Sequence, residues 1–218
     1  MRVHRNLVAL AAAAFLPSHV LAQAGKDATP VVSAAFLSNS WSFSLSADGY
    51  VVPHAEFYVS PTAAADHHWL HLEARYNYEN QYTGSLWVGY NFDVSHKVSL
   101  EITPMIGGVF GNTTGVAPGY QASLTYKKIS LSSSGEYVFD TKGRNASFFY
   151  SWPELTYSPF GWLRAGLVAQ RTKAYHTNLD TQRGLLIGLS HKGVQFTTYV
   201  FNAGWTDPTL VFEVGVSF

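Results

Sequence analysis

Glu73, Glu101, Glu136, Glu154 and Glu213, together with Arg75 and Arg164, are the residues best placed to do chemistry in this chain, and each falls on one side of an alternating segment. Successive side chains on a strand point to opposite faces. Parity therefore gathers these carboxylates and guanidinium groups onto a common face. Such a face has two uses. Left in water, it attracts and passes cations. Packed together, it pairs and fills space, because buried charge is costly unless compensated. The sequence leaves both open: a mildly cation-preferring pore lining, or a Glu–Arg network that plugs the same space. His71, Gln121, Lys127 and Gln170 share that face, and Trp87, Tyr150 and Trp152 are expected to point the same way and narrow any passage.

The histidines invite an enzyme or metal reading. His67-His68-Trp69-Leu70-His71 sets three imidazoles within five residues. Counted along one strand, only His67 and His71 share a side, and they lie far apart. A site there would need Asp66 or Glu73 to converge. A polar turn leading into a strand is the simpler account. His176, in the stretch 175–180 that ends at Asp180, could orient toward a serine nucleophile at a membrane rim. No serine stands in a recognisable nucleophile context, and the His-x-Ser-Asn arrangement of the lipid A deacylases is absent. The chain is therefore read as a non-enzyme that implies no metal and no cofactor.

The elements that must carry these residues are strands. From Trp41 onward the chain alternates in twelve segments, near 41–51, 54–62, 68–79, 82–94, 97–110, 115–127, 129–139, 144–157, 162–173, 181–190, 194–205 and 209–218. Short stretches of turn chemistry separate them, such as Glu79-Asn80-Gln81 and His191-Lys192-Gly193. The least regular is 54–62, bordered by Pro53 and Pro61; if it merges with its neighbour, the count falls to ten. Within 86–92, Leu86, Val88, Tyr90 and Phe92 oppose Trp87, Gly89 and Asn91, and within 163–169, Leu163, Ala165, Leu167 and Ala169 oppose Arg164, Gly166 and Val168. One face is purely apolar and the other mixed. A soluble sandwich would put its polar set in water and its apolar set in a dry core. A membrane barrel puts the continuous apolar face against lipid and the mixed face inside. Tyr78, Tyr90, Tyr126, Tyr137, Tyr157, Trp162 and Trp205 at segment ends fit interfacial aromatic girdles. Pro153 within a segment predicts a bulge.

Composition agrees. Only 13% of residues are charged and 15% are aromatic, against about 25% charged in an ordinary soluble domain. There are no cysteines and the formal net charge is zero, so neither a disulfide framework nor a nucleic-acid partner is implied. Arg2, His4 and Arg5, the apolar run 7–16 and Ala22-Gln23-Ala24 predict a secretory signal peptide over 1–24, followed by a leader at 25–40 and a barrel over 41–218.

The chain closes on Thr209-Leu-Val-Phe-Glu-Val-Gly-Val-Ser-Phe218, alternating to the last residue. A terminal Phe on an alternating strand resembles the signal by which the barrel-assembly machinery recognises bacterial outer-membrane β-barrel proteins. The stretches HLEARYNYE (71–79), GSLWVGYNF (84–92) and GEYVFD (135–140) resemble an uncharacterised group of small outer-membrane barrels. The alternation, which the resemblance supports, implies an all-β fold: a closed antiparallel transmembrane β-barrel, of about twelve strands by segment count and length, with ten or eight as alternatives. The resemblance implies export to the outer membrane, with that membrane's lipids and the assembly machinery as partners, and Phe218 as the assembly signal. The expected function is a narrow porin-like channel for small solutes. The alternatives are a non-conducting structural or surface-interaction barrel and, further off, a membrane-rim lipid hydrolase.

Overall fold

The computed structural model describes residues 40–142, 147–174, 179–204 and 207–218. The expected signal peptide and leader up to residue 39, His176 and Trp205 lie outside them.

Every described element is a strand: β1 (Ser42–Val51), β2 (Tyr58–His67), β3 (Leu70–Tyr76), β4 (Thr83–Tyr90), β5 (Phe92–Ser95), β6 (Ser99–Gly111), β7 (Gly115–Tyr126), β8 (Ile129–Asp140), β9 (Phe148–Phe160), β10 (Leu163–Ala174), β11 (Asp180–His191), β12 (Val194–Phe201) and β13 (Thr209–Ser217). Neighbours in sequence pair antiparallel except β4 and β5, β1 pairs with β13, and β4 pairs with β6, so the sheet closes on itself. β4 and β5 are two parts of one crossing. Gly89 lies opposite Met105 and Phe92 opposite Ile102 in one register. Between them Tyr90 faces Pro104, which has no N–H to donate, and the ladder is interrupted there. The barrel is thus a closed antiparallel cylinder of twelve spanning strands.

Lipid offers no hydrogen bonds to a backbone, so closure is what satisfies both edges of the sheet. The seam runs in unbroken register from Ser44 opposite Ser217 to Val51 opposite Leu210. Phe218 continues it: its N–H donates to the Phe43 carbonyl at 3.0 Å, the Phe43 N–H donates back at 2.8 Å, and the two rings stack at 5.9 Å. The terminal residue is held, not frayed.

The outward face is apolar along its length, with Leu45, Leu86, Ile106, Leu131, Leu167 and Ile187 all exposed. Polar residues occupy the buried inward face instead, among them Ser60, Glu73, Gln121, Glu154 and Thr197. This inversion is how a membrane barrel differs from a soluble one. Trp69 stacks on Tyr90 at 5.4 Å and Phe160 on Trp162 at 5.7 Å, all four exposed beside the short turns, as an interfacial girdle requires.

Connections sort by length to the two ends. One end holds tight turns: His68-Trp69, Lys127-Lys128, Gly161-Trp162 and Lys192-Gly193 join directly paired strands. Lys192 and Gly193 both have positive φ, 47° and 82°, as the primed hairpin turns demand. The other end holds the longer loops, including 52–57 and 77–82. Both ends of the described barrel, Ser42 and Ser217, lie at the short-turn end.

Three expectations need correction. The irregular strand is Tyr58–His67, not 54–62, and Pro61 sits inside it. No bulge forms at Pro153: Leu155 faces Leu167 and Ser151 faces Arg171 in one register, and the shift comes later, between Leu163 and Ala165 opposite the end of β9. Tyr78 is not an interfacial residue; it is 1% exposed and points inward. Asn77 has φ of 56°, which resets the alternation after β3 and turns Tyr78 and Glu79 into the barrel.

Candidate functional site in the barrel lumen

The inward face carries two charged clusters. The first is built on β2, β3, β7 and β8. Arg75 is its centre. Its Nε donates to Glu73, its Nη1 donates to Glu136 Oε2 at 2.8 Å, and Glu79 lies 3.9 Å from the same nitrogen. The guanidinium lies over two rings, 4.1 Å from the centroid of Tyr78 and 4.4 Å from that of Trp87. β3 and β8 are separated around the ring by β4, β6 and β7, so the Arg75–Glu136 pair is a chord across the lumen. Gln121 Nε2 makes a second chord, donating to Glu73 Oε2 at 2.9 Å.

His71 extends this cluster toward the short turns. Its Nδ1 lies 2.7 Å from Asp66 and its Nε2 3.2 Å from Glu73. Asn91 Nδ2 donates to Asp66 at 2.8 Å, and Thr103 Oγ1 donates to Asn91 at 2.7 Å. The shared side expected for His67 and His71 does not occur. The chain reverses at His68, where φ is 52°, so register and not counting sets the faces. His67 opposes outward-facing Leu70, while Asp66 opposes His71 inside. Both ring nitrogens of His71 are engaged by carboxylates, and no group of three His, Cys, Asp or Glu that could hold a metal ion occurs among the described residues.

The second cluster spans β9, β10, β12 and β13. Arg164 Nη1 donates to Glu154 at 3.3 Å, its Nη2 donates to Thr197 Oγ1 at 2.8 Å, and the same nitrogen lies 4.0 Å from Glu213. Aromatic donors complete it: the Trp152 indole donates to Glu154 at 2.8 Å, and the Tyr199 hydroxyl to Glu213 at 2.8 Å. A third chord packs Trp152 against Tyr199 and Phe201 at 5.3 and 5.0 Å.

These two clusters bring together Glu73, Arg75 and Glu136, and Glu154, Arg164 and Glu213. Glu101 stands apart. It lies half-exposed toward the short-turn end and accepts from Ser123 Oγ at 3.2 Å. Inward residues at that end are small, hydroxylic and half-exposed, among them Ser44, Ser46, Thr125, Ser130, Ser132 and Ser217. Toward the long loops the interior is filled by Tyr50, Tyr78, Tyr150, Trp152, Tyr199 and Phe201, all fully or nearly fully buried. Tyr78 meets Tyr150 edge to face at 6.1 Å, so the 77–82 loop reaches across to β9. The lumen thus has a vestibule of half-exposed hydroxyl residues at the short-turn end, two ion-pair clusters on different sides of its wall, and an aromatic constriction toward the long loops.

Sequence reasoning left three buried carboxylates off the inward face, Asp48, Asp66 and Glu79, naming Asp66 only as a possible partner of the histidines. Asp48 was legible, because Ser42, Ser44, Ser46, Asp48 and Tyr50 alternate on one face of β1. Asp66 was legible in the same way from Ser60, Thr62 and Ala64. Glu79 was not, since only the left-handed Asn77 brings it inside.

No protein-family model matches the chain, and no curated protein matches it. Among solved structures it is similar to the KdgM porin, with a TM-score of 0.55 and 12% identity over 80% of this chain and 99% of that one. It is similar also to the KdgM porin in complex with disordered oligogalacturonate, with a TM-score of 0.53 and 11% identity over 80% and 98%. At such identity the likeness establishes the porin-type barrel fold and nothing finer.

Proposed function

We propose that this chain is a narrow outer-membrane channel for small solutes with a preference for cations. The observation that carries the proposal is the charge of the inward face. Asp48, Asp66, Glu73, Glu79, Glu136, Glu154 and Glu213 are buried there against Arg75, Arg164 and His71. A ring of carboxylates in a pore raises the local cation concentration and repels anions. Glu101, beside the vestibule serines, extends the acidic lining toward the short turns.

The KdgM complex holds oligogalacturonate, a polyanion. The acidic interior here does not suit that class of solute, so the shared barrel is not taken to mean a shared cargo.

Planar-bilayer recording tests the proposal. Across a gradient of potassium chloride, the reversal potential is expected to have the sign of a cation-selective pore. Silence over the whole voltage range rejects conduction, and an anion-selective reversal potential rejects the role given to the lining. The rival reading is a sealed structural or surface-interaction barrel, favoured by the Arg75–Glu136 chord and the aromatic layer. It predicts no conductance even after Tyr78→Ala. A rim lipid hydrolase is disfavoured, because His71 is spent on Asp66 and Glu73.

Under the same reading residues 1–24 are an export signal, which N-terminal sequencing of the mature protein checks. Phe218 is the contact for the assembly machinery.

A further inference from the structure

The lumen solves the problem of a buried guanidinium twice with the same parts. Arg75 lies between Glu73 and Glu136, with its guanidinium over the rings of Tyr78 and Trp87. Arg164 lies between Glu154 and Glu213, which also accept from the Trp152 indole and the Tyr199 hydroxyl. A third corner has these parts without the cation. Asp48 faces Glu213 directly across the β1–β13 seam and Ser60 across β1–β2. Two residues further along the same face, Tyr50 stacks flat on Tyr58, with centroids 4.7 Å apart.

Asp48 is 1% exposed. Its Oδ1 has no hydrogen-bond partner, and neither has the hydroxyl of Tyr58. No ion pair involving Asp48 occurs among the described residues; Arg164, the nearest guanidinium to Glu213, is already shared with Glu154. Two acidic side chains directly opposite on one face repel each other, and an unpartnered buried carboxylate oxygen forfeits its hydration. The corner is therefore one cation short.

We infer that the Asp48 corner is a recognition site for a compact organic cation, a primary ammonium or guanidinium group, with Asp48 and Glu213 as counter-ions and the Tyr50–Tyr58 pair as its wall. Aromatic faces attract weakly hydrated organic cations, and the attraction strengthens once water is excluded. A metal ion would call for more acidic ligands than these two, and no group of three His, Cys, Asp or Glu that could hold one occurs among the described residues. The inference rests on the channel reading, for which it names the solute class. The site lies on the constricted, long-loop side, where a solute would be selected before reaching the vestibule.

Two measurements separate the inference from that reading. The first is calorimetric titration of the folded barrel in detergent with butylammonium chloride, with potassium chloride and sodium butyrate as controls. It needs no conduction. Saturable butylammonium binding is expected, weakened about tenfold or more by Asp48→Asn and unchanged by Glu101→Gln in the vestibule. Tyr58→Leu keeps the carboxylate and is expected to weaken butylammonium while leaving potassium unaffected. The heat-dependent gel mobility of each variant reports that it is folded. The second measurement is the bi-ionic reversal potential of butylammonium against potassium. Binding without conductance would sink the channel and leave the site standing. Conductance without saturable butylammonium binding, or binding indifferent to Asp48→Asn, would overturn the site and leave the channel. Equal affinity for potassium and butylammonium would also overturn it, as would an Asp48 that simply holds a proton and binds neither.

Discussion

Arg75 shows how much one residue can decide in a barrel lumen. Its guanidinium touches carboxylates from three places along the chain and two aromatic rings. Replacing a buried charged pair with apolar groups is often neutral, but removing one partner leaves the others uncompensated. Arg75→Ala is therefore expected to cost about 3–5 kcal/mol in a denaturant titration in lipid. Arg75→Lys recovers only part of that, because an ammonium lacks the planar fork that bridges Glu73 and Glu136 and stacks on aromatic faces. Gly107 matters for the same site. A Cβ there would run into the Trp87 ring, so only glycine lets the indole lie on β6 beside Arg75. Most of these residues were legible from parity. Tyr78 and Glu79 were not, since one left-handed asparagine reverses the count, and nothing in the alternation marks it.

Strands carry their instructions in which face is which. Leu167 is exposed on the outward side of β10, opposite Leu185 and Leu155. Leu167→Arg near mid-strand is expected to destabilise the folded barrel by roughly 2–4 kcal/mol in the same titration. Gln121→Arg points inward among carboxylates and should cost far less; equal costs would contradict the face assignment. The loop between β3 and β4 is the element the pattern could not describe. Its inward course is fixed by Asn77, whose side chain donates to Val59 and accepts from Tyr82, and by Glu79 accepting from Ser85 at 2.5 Å. Because Tyr78 closes against Tyr150, Tyr78→Ala is expected to raise single-channel conductance without changing its cation preference. A drop would mean that the ring supports the conducting form.

Closure is a property of the whole chain. The ring is closed by the β4–β6 pairing and by the seam where β1 meets β13 and Phe218 meets Phe43. Deleting Phe218 removes two backbone hydrogen bonds and one ring stack at that seam. The expected outcome is slower appearance of the heat-resistant folded form on refolding into lipid vesicles, with the final fraction little changed. Refolding at the rate of the full chain would show that this last pair forms after the barrel has closed.

The sequence by itself determined that the chain alternates, which face is oily, and hence that it makes a membrane cylinder of about twelve strands. Those properties are local: each depends on neighbours two residues apart. Only the tertiary structure decided what meets across the lumen. Arg75 reaches Glu136 from β3 to β8, Asp66 and Glu73 converge on His71, and Asp48 faces Glu213 across the seam. Such contacts depend on ring closure, on register, and on the few left-handed residues that reverse a face, and strand periodicity carries no record of any of these.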